Sequence, residues 1–569
     1  MKFLFVTYRW GEEITGGAEI HHRRLVKDLI ELGHEVEVWT TTGRDLSPVG
    51  HWGTELQPWY EPGSSRDGGA IVRRFPLDRV SRKALGIGAK FLQRRIEREW
   101  DRRDPAVFAE WAARRPEARD AWVHLLDNWH PVELSNEGYT ARWSYRVSRV
   151  AVFPLGERGR LWIKGHANKK TKFAVRDGAG NYKDFEVEDK FEVECPIQRG
   201  DGVDWISIIV NKAWRPLADH RSLGLYIKEV RWHPDGKDKT VSANMWNDYR
   251  ALGRGVPEEW WEYLWKEAEA RSEKMCKLFD WLRGPRSGAL GRALRKPPSD
   301  ADYVVAANLP WAVIPMVARE CPLPMLAMAL WHIEDDYYYW PHYIEALKKA
   351  KLVLANTEFT AEKFFKPRGI RAEFVGPGVP LPLEPSTPFD PEKWRREIGL
   401  EEGEAMVLSV SRKSPEKRYD LIADAVELLR ERGRKVRFVL CGPDHDQQET
   451  KPGTLYLGRV DDLQLDRAYR ACDVFVLMSE TESFGMVLAE AWLRGKPVVA
   501  NRVCGPAASL VDEGVDGLLA EDAESLAAAL EELLDDPEKR AAMGEAGRKK
   551  SEVGFVQRAA TERLLQGVR

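Results

Sequence analysis

Cysteine is scarce in this chain. The six residues, Cys195, Cys276, Cys321, Cys441, Cys472 and Cys504, are scattered without close pairs. That pattern excludes a zinc site built from spaced pairs and the dense disulfide framework of a small secreted domain. Neither sign of charge predominates: 87 basic residues stand against 90 acidic ones, for a formal net charge of -3. A generally basic nucleic-acid binder is therefore excluded, and any polyanion site has to be local. No run approaches eighteen apolar residues, so no transmembrane helix is expected. No cleavable apolar leader is expected either, because the stretch Lys2 to Tyr8 reads as a first strand. The expectation is a cytoplasmic protein in a reducing compartment. Asparagine and glutamine are few, ten and eight, while arginine and glutamate abound, a composition associated with hot environments.

What is present is a soluble, multi-domain balance: 569 residues, 43% hydrophobic and 31% charged. Apolar strand, glycine break at Gly16 and Gly17, helix and second strand open the chain over residues 1 to about 80. The alternation resumes at Ala301–Val305, Leu326–Leu330 and Leu352–Ala355, short buried-looking strands with helix-length connections, which predicts parallel sheet. A proline-rich linker, residues 379–388, precedes a second series at Met406–Val410, Val436–Leu440, Val474–Leu477 and Pro497–Ala500. Between about 105 and 298 the pattern turns to strand alternation with turn signals such as residues 177–180 and 199–202. An antiparallel β-sandwich is expected there, on a stalk of helices near 106–126 and 257–282. This stretch holds thirteen of the 23 tryptophans, which would fill a small core or stack on sugar rings.

Chemistry gathers in the second series. Glu482 and Glu490 lie eight residues apart across a loop-to-helix junction containing Ser483, Phe484, Gly485 and Met486. If every step were helical the acids would stand about 12 Å apart, enough to reach hydroxyls on either side of a diphosphate. The junction's unpaired amides would attract phosphate oxygens. The plainer possibility is a helix-favouring Glu482 and a solvated Glu490. Arg412 and Lys417 follow the strand Met406–Val410, at the carboxyl edge of a parallel sheet where ligands bind. There they would neutralise a diphosphate, the first as a planar fork and the second as a point charge.

Taken in order, Gly16, Gly17, Ala18 and Glu19, then His332, then Gly376, Pro377 and Gly378, then Arg412 with Lys417, then Gly458, Arg459 and Val460, and last Glu482 with Glu490, the pattern resembles the retaining glycosyltransferases of family 4. The likeness covers residues 1 to about 90 and 300 to 569. It implies a GT-B fold: α/β, two facing Rossmann-like domains, here with an inserted, mainly antiparallel β-sandwich domain on a helical stalk. The expected boundaries are 1–104, 299–385 and 553–569 for the first domain, 105–298 for the insertion and 386–552 for the donor domain. The resemblance assigns ribose binding to Glu490, the donor sugar to Glu482, the diphosphate to Arg412 and Lys417, and a sugar contact to His332. Gly16 and Gly17 would approach the phosphates or the sugar, and backbone at Gly458, Arg459 and Val460 would read the base. Glu334, Asp335 and Asp336 mimic an acidic metal motif, but the resemblance implies no metal and no cofactor beyond a UDP- or GDP-sugar donor.

The expected partners are that donor and a glycan, lipid-linked or protein-linked acceptor, with no nucleic acid. Residues 73–103 hold eleven basic and four acidic side chains. They would suit peripheral contact with anionic lipid at the inner face of a membrane, or a solvated helix face against the insertion. Two other readings stay open: a carbohydrate-binding scaffold on a non-catalytic GT-B frame, and a GT-B phosphorylase or epimerase.

Overall fold

The computed structural model describes residues 1–14, 17–43, 59–78, 122–125, 129, 133–134, 140–144, 147–153, 158–198, 205–211, 224–236, 240–243, 266, 268–283, 287–307, 313–330, 339–382, 389–444, 450–451 and 453–568. The chain divides into two compact units, Met1–Gly86 with Trp265–Arg569, and Ile87–Leu264.

The first unit contains two parallel sheets. One runs in the order Ala372–Phe374, Leu352–Ala355, Met325–Met328, Tyr303–Ala307, Lys2–Val6, Glu35–Thr41, Ala70–Phe75 and Gly63–Asp67. All of its pairs are parallel except the last, an antiparallel edge. The second runs Thr454–Gly458, Val436–Cys441, Ala405–Val410, Val474–Leu477, Val498–Asn501 and Gly517–Ala520, parallel throughout. Its central strands are almost continuously buried and apolar, as a sheet covered on both faces requires. The expected α/β architecture is the one observed. The chain winds outward from Ala405–Val410 to Thr454–Gly458, then returns to the other side at Val474–Leu477. The two adjacent central strands therefore send their connections in opposite directions, which opens a crevice at their carboxyl ends.

The two halves of this unit are tied by backbone. The Phe555 carbonyl accepts from the Val379 amide at 2.7 Å, and Val379 and Val556 form a parallel bridge. Phe555 stacks on Trp492 and meets Phe484 edge-on in the second sheet's core. The final helix, Gln557–Val568, then buries Ala560, Leu564, Leu565 and Val568 among side chains of the first sheet. Gly378 stands at this crossing with φ +69, where a β-carbon would collide with Gln557.

The helix Gly17–Glu31 carries His21 and His22, 3% and 0% exposed. Burial pushes both imidazoles down to about 3, so both are neutral in the folded protein. Neither ring nitrogen of His22 has a hydrogen-bond partner among the described residues. An ordinary histidine takes its proton near pH 6.5, whereas these two wait until about pH 3. The unfolded chain thus holds up to two more protons across that window, and stability falls as pH drops through it, by up to about 2.7 kcal/mol per pH unit. Urea midpoints measured between pH 7 and pH 4 are expected to show this slope, and His22→Leu to roughly halve it. A slope unchanged in that variant would contradict the assignment.

The second unit is one antiparallel sheet in the order Trp122–Leu125, Val147–Phe153, Trp205–Val210, Arg158–Arg176, Tyr226–Pro234, Thr140–Trp143 and Glu133–Leu134, with Tyr182–Gln198 paired to Arg158–Arg176 and Val241–Ser242 to Tyr226–Pro234. A straight hairpin of the two longest strands would hold its ends about 55 Å apart. They are in contact: Asp177 accepts from the Gln198 amide at 3.0 Å, and Lys183 donates to the Glu194 carbonyl at 2.8 Å. The hairpin is bent double, with a register shift between Val187 and Asp189 and Asp189 at φ +54. Two packed layers thus come from a single ribbon, around Leu161, Ile163, Phe173 and Val175. Trp129, Trp143 and Trp232 are buried, so these tryptophans serve packing. Of the helix expected over 106–126, only residues 122–125 are described, and they are not helical: they form the edge strand Trp122–Leu125, paired antiparallel to Val147–Phe153. Of the stretch 257–282, residues 266, 268–272 and the helix Glu273–Arg283 are described.

Candidate functional site

Two loops meet at the crevice of the second sheet. One follows Ala405–Val410 and ends in the helix Tyr419–Glu431, whose Leu421, Ile422, Ala425, Val426 and Leu429 form a buried stripe at helical spacing. The other follows Val474–Leu477 and ends in the helix Met486–Trp492. Three contacts stitch them together. Lys417 Nζ donates to Glu482 Oε1 at 2.7 Å, Arg418 Nη1 to Glu480 Oε1 at 3.0 Å, and the Glu480 amide to the Glu416 carbonyl at 2.9 Å. Lys417 and Glu482 are only 12% and 16% exposed, so this is a mostly desolvated pair whose separation would leave an uncompensated charge. Arg418 holds a left-handed backbone, φ +49. Such conformations cost energy in a residue with a side chain and persist only where the surroundings enforce them.

The helix begins at Met486, so only the last half of the Glu482–Glu490 span is helical, and Gly485 caps it at φ +100 with no side-chain acceptor for the first amides. Backbone donors are thereby left for a ligand. Phe484 is buried at 1%, and Met486 packs against the same core. Their contribution to any site is backbone. Glu490, one turn further on, accepts from the Tyr469 hydroxyl at 2.7 Å. Burial, and then the adjoining Glu490 charge, raise that phenol well above its ordinary value, so Tyr469 is a fixed donor. Arg494 lies 4.9 Å over the Tyr469 ring and donates to the Glu490 carbonyl. Asp461 caps the helix that supplies Tyr469 by accepting from the Gln464 amide at 2.8 Å.

Arg412 is 53% exposed beside Glu416 at 3.4 Å, in the same loop as Lys417. Gly458 ends its strand at φ +68 and accepts from the Gly442 amide at 2.8 Å. Arg459 is exposed, while Val460 packs on the core. Ser483 is half-buried between Glu482 and Phe484. The structure therefore brings Arg412, Lys417, Gly458, Glu482, Gly485 and Glu490 to one sheet edge. On the first sheet's side, Gly17 starts its helix, while Gly16 and His332, with Glu334, Asp335 and Asp336, lie outside the described residues.

Sequence reasoning missed four groups. Tyr469 has no local signal, because only the packing of its helix brings it to Glu490. Lys413, 1% exposed, pairs with Asp444 at 3.0 Å, and its neighbours in sequence gave no hint of burial. The Arg418–Glu480 pair links residues 62 apart. Arg24, on the first sheet's helix, is held below its ordinary value by burial, against which the Glu490 and Asp462 charges act. That places a cation of the first half within the field of Glu490. Among the described residues, no helix is long and apolar enough to cross a membrane.

Residues 390–550 match the family of glycosyl transferases group 1. The match spans the second sheet and most of the helices packed on it. Curated relatives agree with the match. The D-inositol 3-phosphate glycosyltransferase of Corynebacterium glutamicum is 35% identical over 31% of this chain and 46% of its own length. That of Kineococcus radiotolerans is 32% identical over 39% of this chain and 58% of its own. The chain spans about half the length of the curated relatives it matches. Among solved structures, the sucrose-phosphate synthase of Thermosynechococcus elongatus is similar over 99% of this chain and 97% of its own, at 13% identity and a TM-score of 0.48. Anabaena HepE, solved with UDP, is similar over 49% of this chain and 82% of its own, at 23% identity and a TM-score of 0.43.

Proposed function

We propose that the protein is a retaining glycosyltransferase of family 4 that moves a sugar from a UDP- or GDP-sugar to a hydroxyl of a glycan, lipid-linked or protein-linked acceptor, without a catalytic metal. The observation that carries this reading is the Lys417–Glu482 pair bridging the switch point of the second sheet, with Glu490 fixed by Tyr469 one helix turn beyond. Acids that bind hydroxyls and cations that bind phosphate thus share one edge, on a domain that matches the family.

In this reading Glu490 accepts hydrogen bonds from ribose hydroxyls, and the Gly458–Val460 backbone meets the base. Lys417, with Arg412, faces the diphosphate and stabilises the charge that builds on its leaving oxygen. Glu482 holds Lys417 in place and accepts from a hydroxyl of the donor sugar, and His332 meets that sugar from the other side. The acceptor hydroxyl attacks the anomeric carbon on the face from which the phosphate departs, and the phosphate oxygen takes its proton. Residues 1–104, 299–385 and 553–569 form the acceptor half, with Gly16 and Gly17 close to the donor, and 386–552 the donor half. The protein works in the cytoplasm, with residues 73–103 as a peripheral contact with anionic lipid. Purified protein incubated with a panel of UDP- and GDP-sugars, with and without glycan acceptors, is expected to release free nucleotide from at least one donor. Release from none would remove the transferase reading.

A further inference from the structure

We propose that the inserted unit carries a binding pocket for an acidic glycan, located where its bent hairpin closes on itself. This goes beyond the transferase reading and stands without it, because no residue of the second sheet takes part. The cavity is about 500 Å³, within the ~300–1,000 Å³ typical of small-ligand sites, and it admits a di- or trisaccharide. Its walls come from both ends of one ribbon, which is why the pocket exists only because the hairpin folds back.

Val175 and Ile197, 1% and 5% exposed, give it an apolar floor. Asp177, also lining it, is 7% exposed and already engaged, accepting from the Asn181 amide at 2.8 Å, the Asn181 side chain at 3.1 Å and the Gln198 amide at 3.0 Å. That acid is an internal brace, with both oxygens taken up by these donors. Tyr182 stands at the mouth, a 59% exposed ring with the Arg176 guanidinium 5.4 Å from its centre. The cations of the pocket are Arg158, Arg160 and Lys183, facing Asp235 as the one other acid of the lining. Elsewhere on the ribbon several cations have a glutamate across the strands, as Lys164 has Glu192 and Lys172 has Glu186. Arg160 reaches Glu194 at 3.5 Å, and Lys183 uses the Glu194 carbonyl. Arg158 has no ion-pair partner among the described residues. Arg158 lines the cavity.

An exposed aromatic ring and a guanidinium with no ion pair among the described residues, lining one cavity with an apolar floor, suit a saccharide bearing a carboxylate. The pyranose face rests on Tyr182, a rigid ring that loses little entropy on contact. The carboxylate takes the Arg158 fork. A neutral sugar would gain only the first contact, and a bare polyanion only the second.

The test is isothermal titration of the full chain with trigalacturonic acid, maltotriose and tripolyphosphate. Trigalacturonic acid is expected to bind at least about tenfold more tightly than either control. Tyr182→Ala and Arg158→Ala should each weaken it about tenfold or more. Both side chains are exposed, and circular dichroism is the check that each variant folds. Absence of trigalacturonic acid binding, equal binding of maltotriose or tripolyphosphate, or affinity untouched by either substitution would overturn the proposal. Failure of nucleotides to bind the same protein would strike the transferase reading and leave this pocket to stand or fall on the titrations.

Discussion

Replacing Lys417 with alanine is expected to lower kcat for sugar transfer by about 10²–10³-fold, with a smaller change in KM for the donor. The size follows from what a preorganised charge contributes when it faces an oxygen that becomes more negative in the transition state. Lys417 is preorganised in a specific sense: its side chain is 12% exposed and its ammonium already fixed at 2.7 Å on Glu482, so little reorganisation remains to be done when the diphosphate arrives. The same geometry separates this variant from Glu482→Gln. In that case the cation keeps a neutral acceptor and its position, so the loss should fall mainly on recognition of the donor sugar. Steady-state kinetics on both variants checks the difference. If Lys417→Ala turned over as fast as the unaltered protein, the phosphate role would be wrong, and the pair would be a structural clasp between two loops.

Gly442→Ala is expected to destabilise the protein by about 3 kcal/mol or more and to abolish nucleotide binding at the same time. Gly442 has φ +144, a conformation that side chains rarely adopt, and a β-carbon there would collide with the backbone carbonyl of Ser411. Because backbone cannot rotate out of the way, the loop after Ala405–Val410 would have to move. That loop carries Arg412 and Lys417, and the Gly442 amide also holds the Gly458 carbonyl, so three segments of the crevice shift together. Chemical denaturation gives the stability change, and a thermal shift with UDP or GDP gives the binding. Gly403→Ala is the comparison, since it shares a positive φ, +72, but a β-carbon there meets nothing within 4 Å. It should cost less and leave binding intact.

The parallel strands of the second sheet were legible because burial on both faces writes itself into sequence as short apolar runs, such as Met406–Val410 and Val474–Leu477. The gathering of Arg412, Lys417, Glu482 and Glu490 at one edge was legible for a related reason. In a parallel sheet every strand's carboxyl end lies on the same side, so residues just after each strand converge whatever their separation in the chain. The pairings made across that edge were not legible. Nothing local in Lys417 says that it contacts Glu482 before any phosphate does, and Tyr469 reaches Glu490 only through the docking of a whole helix. The doubled hairpin of the inserted unit was hidden as well. Alternation along residues 158–198 shows strands, but a bend is set by a register shift and one left-handed residue, Asp189, which leave the alternation almost undisturbed.

The central claim is that Glu490 is a ligand of the nucleotide and not a surface acid braced by Tyr469. Calorimetric titration of UDP and GDP into the unaltered protein and into Glu490→Ala tests it most directly. One of the two nucleotides should bind the unaltered protein, and the variant should bind it at least about tenfold more weakly, since hydrogen bonds to a charged partner contribute about 1.5–3 kcal/mol. The same affinity in both proteins would contradict the account.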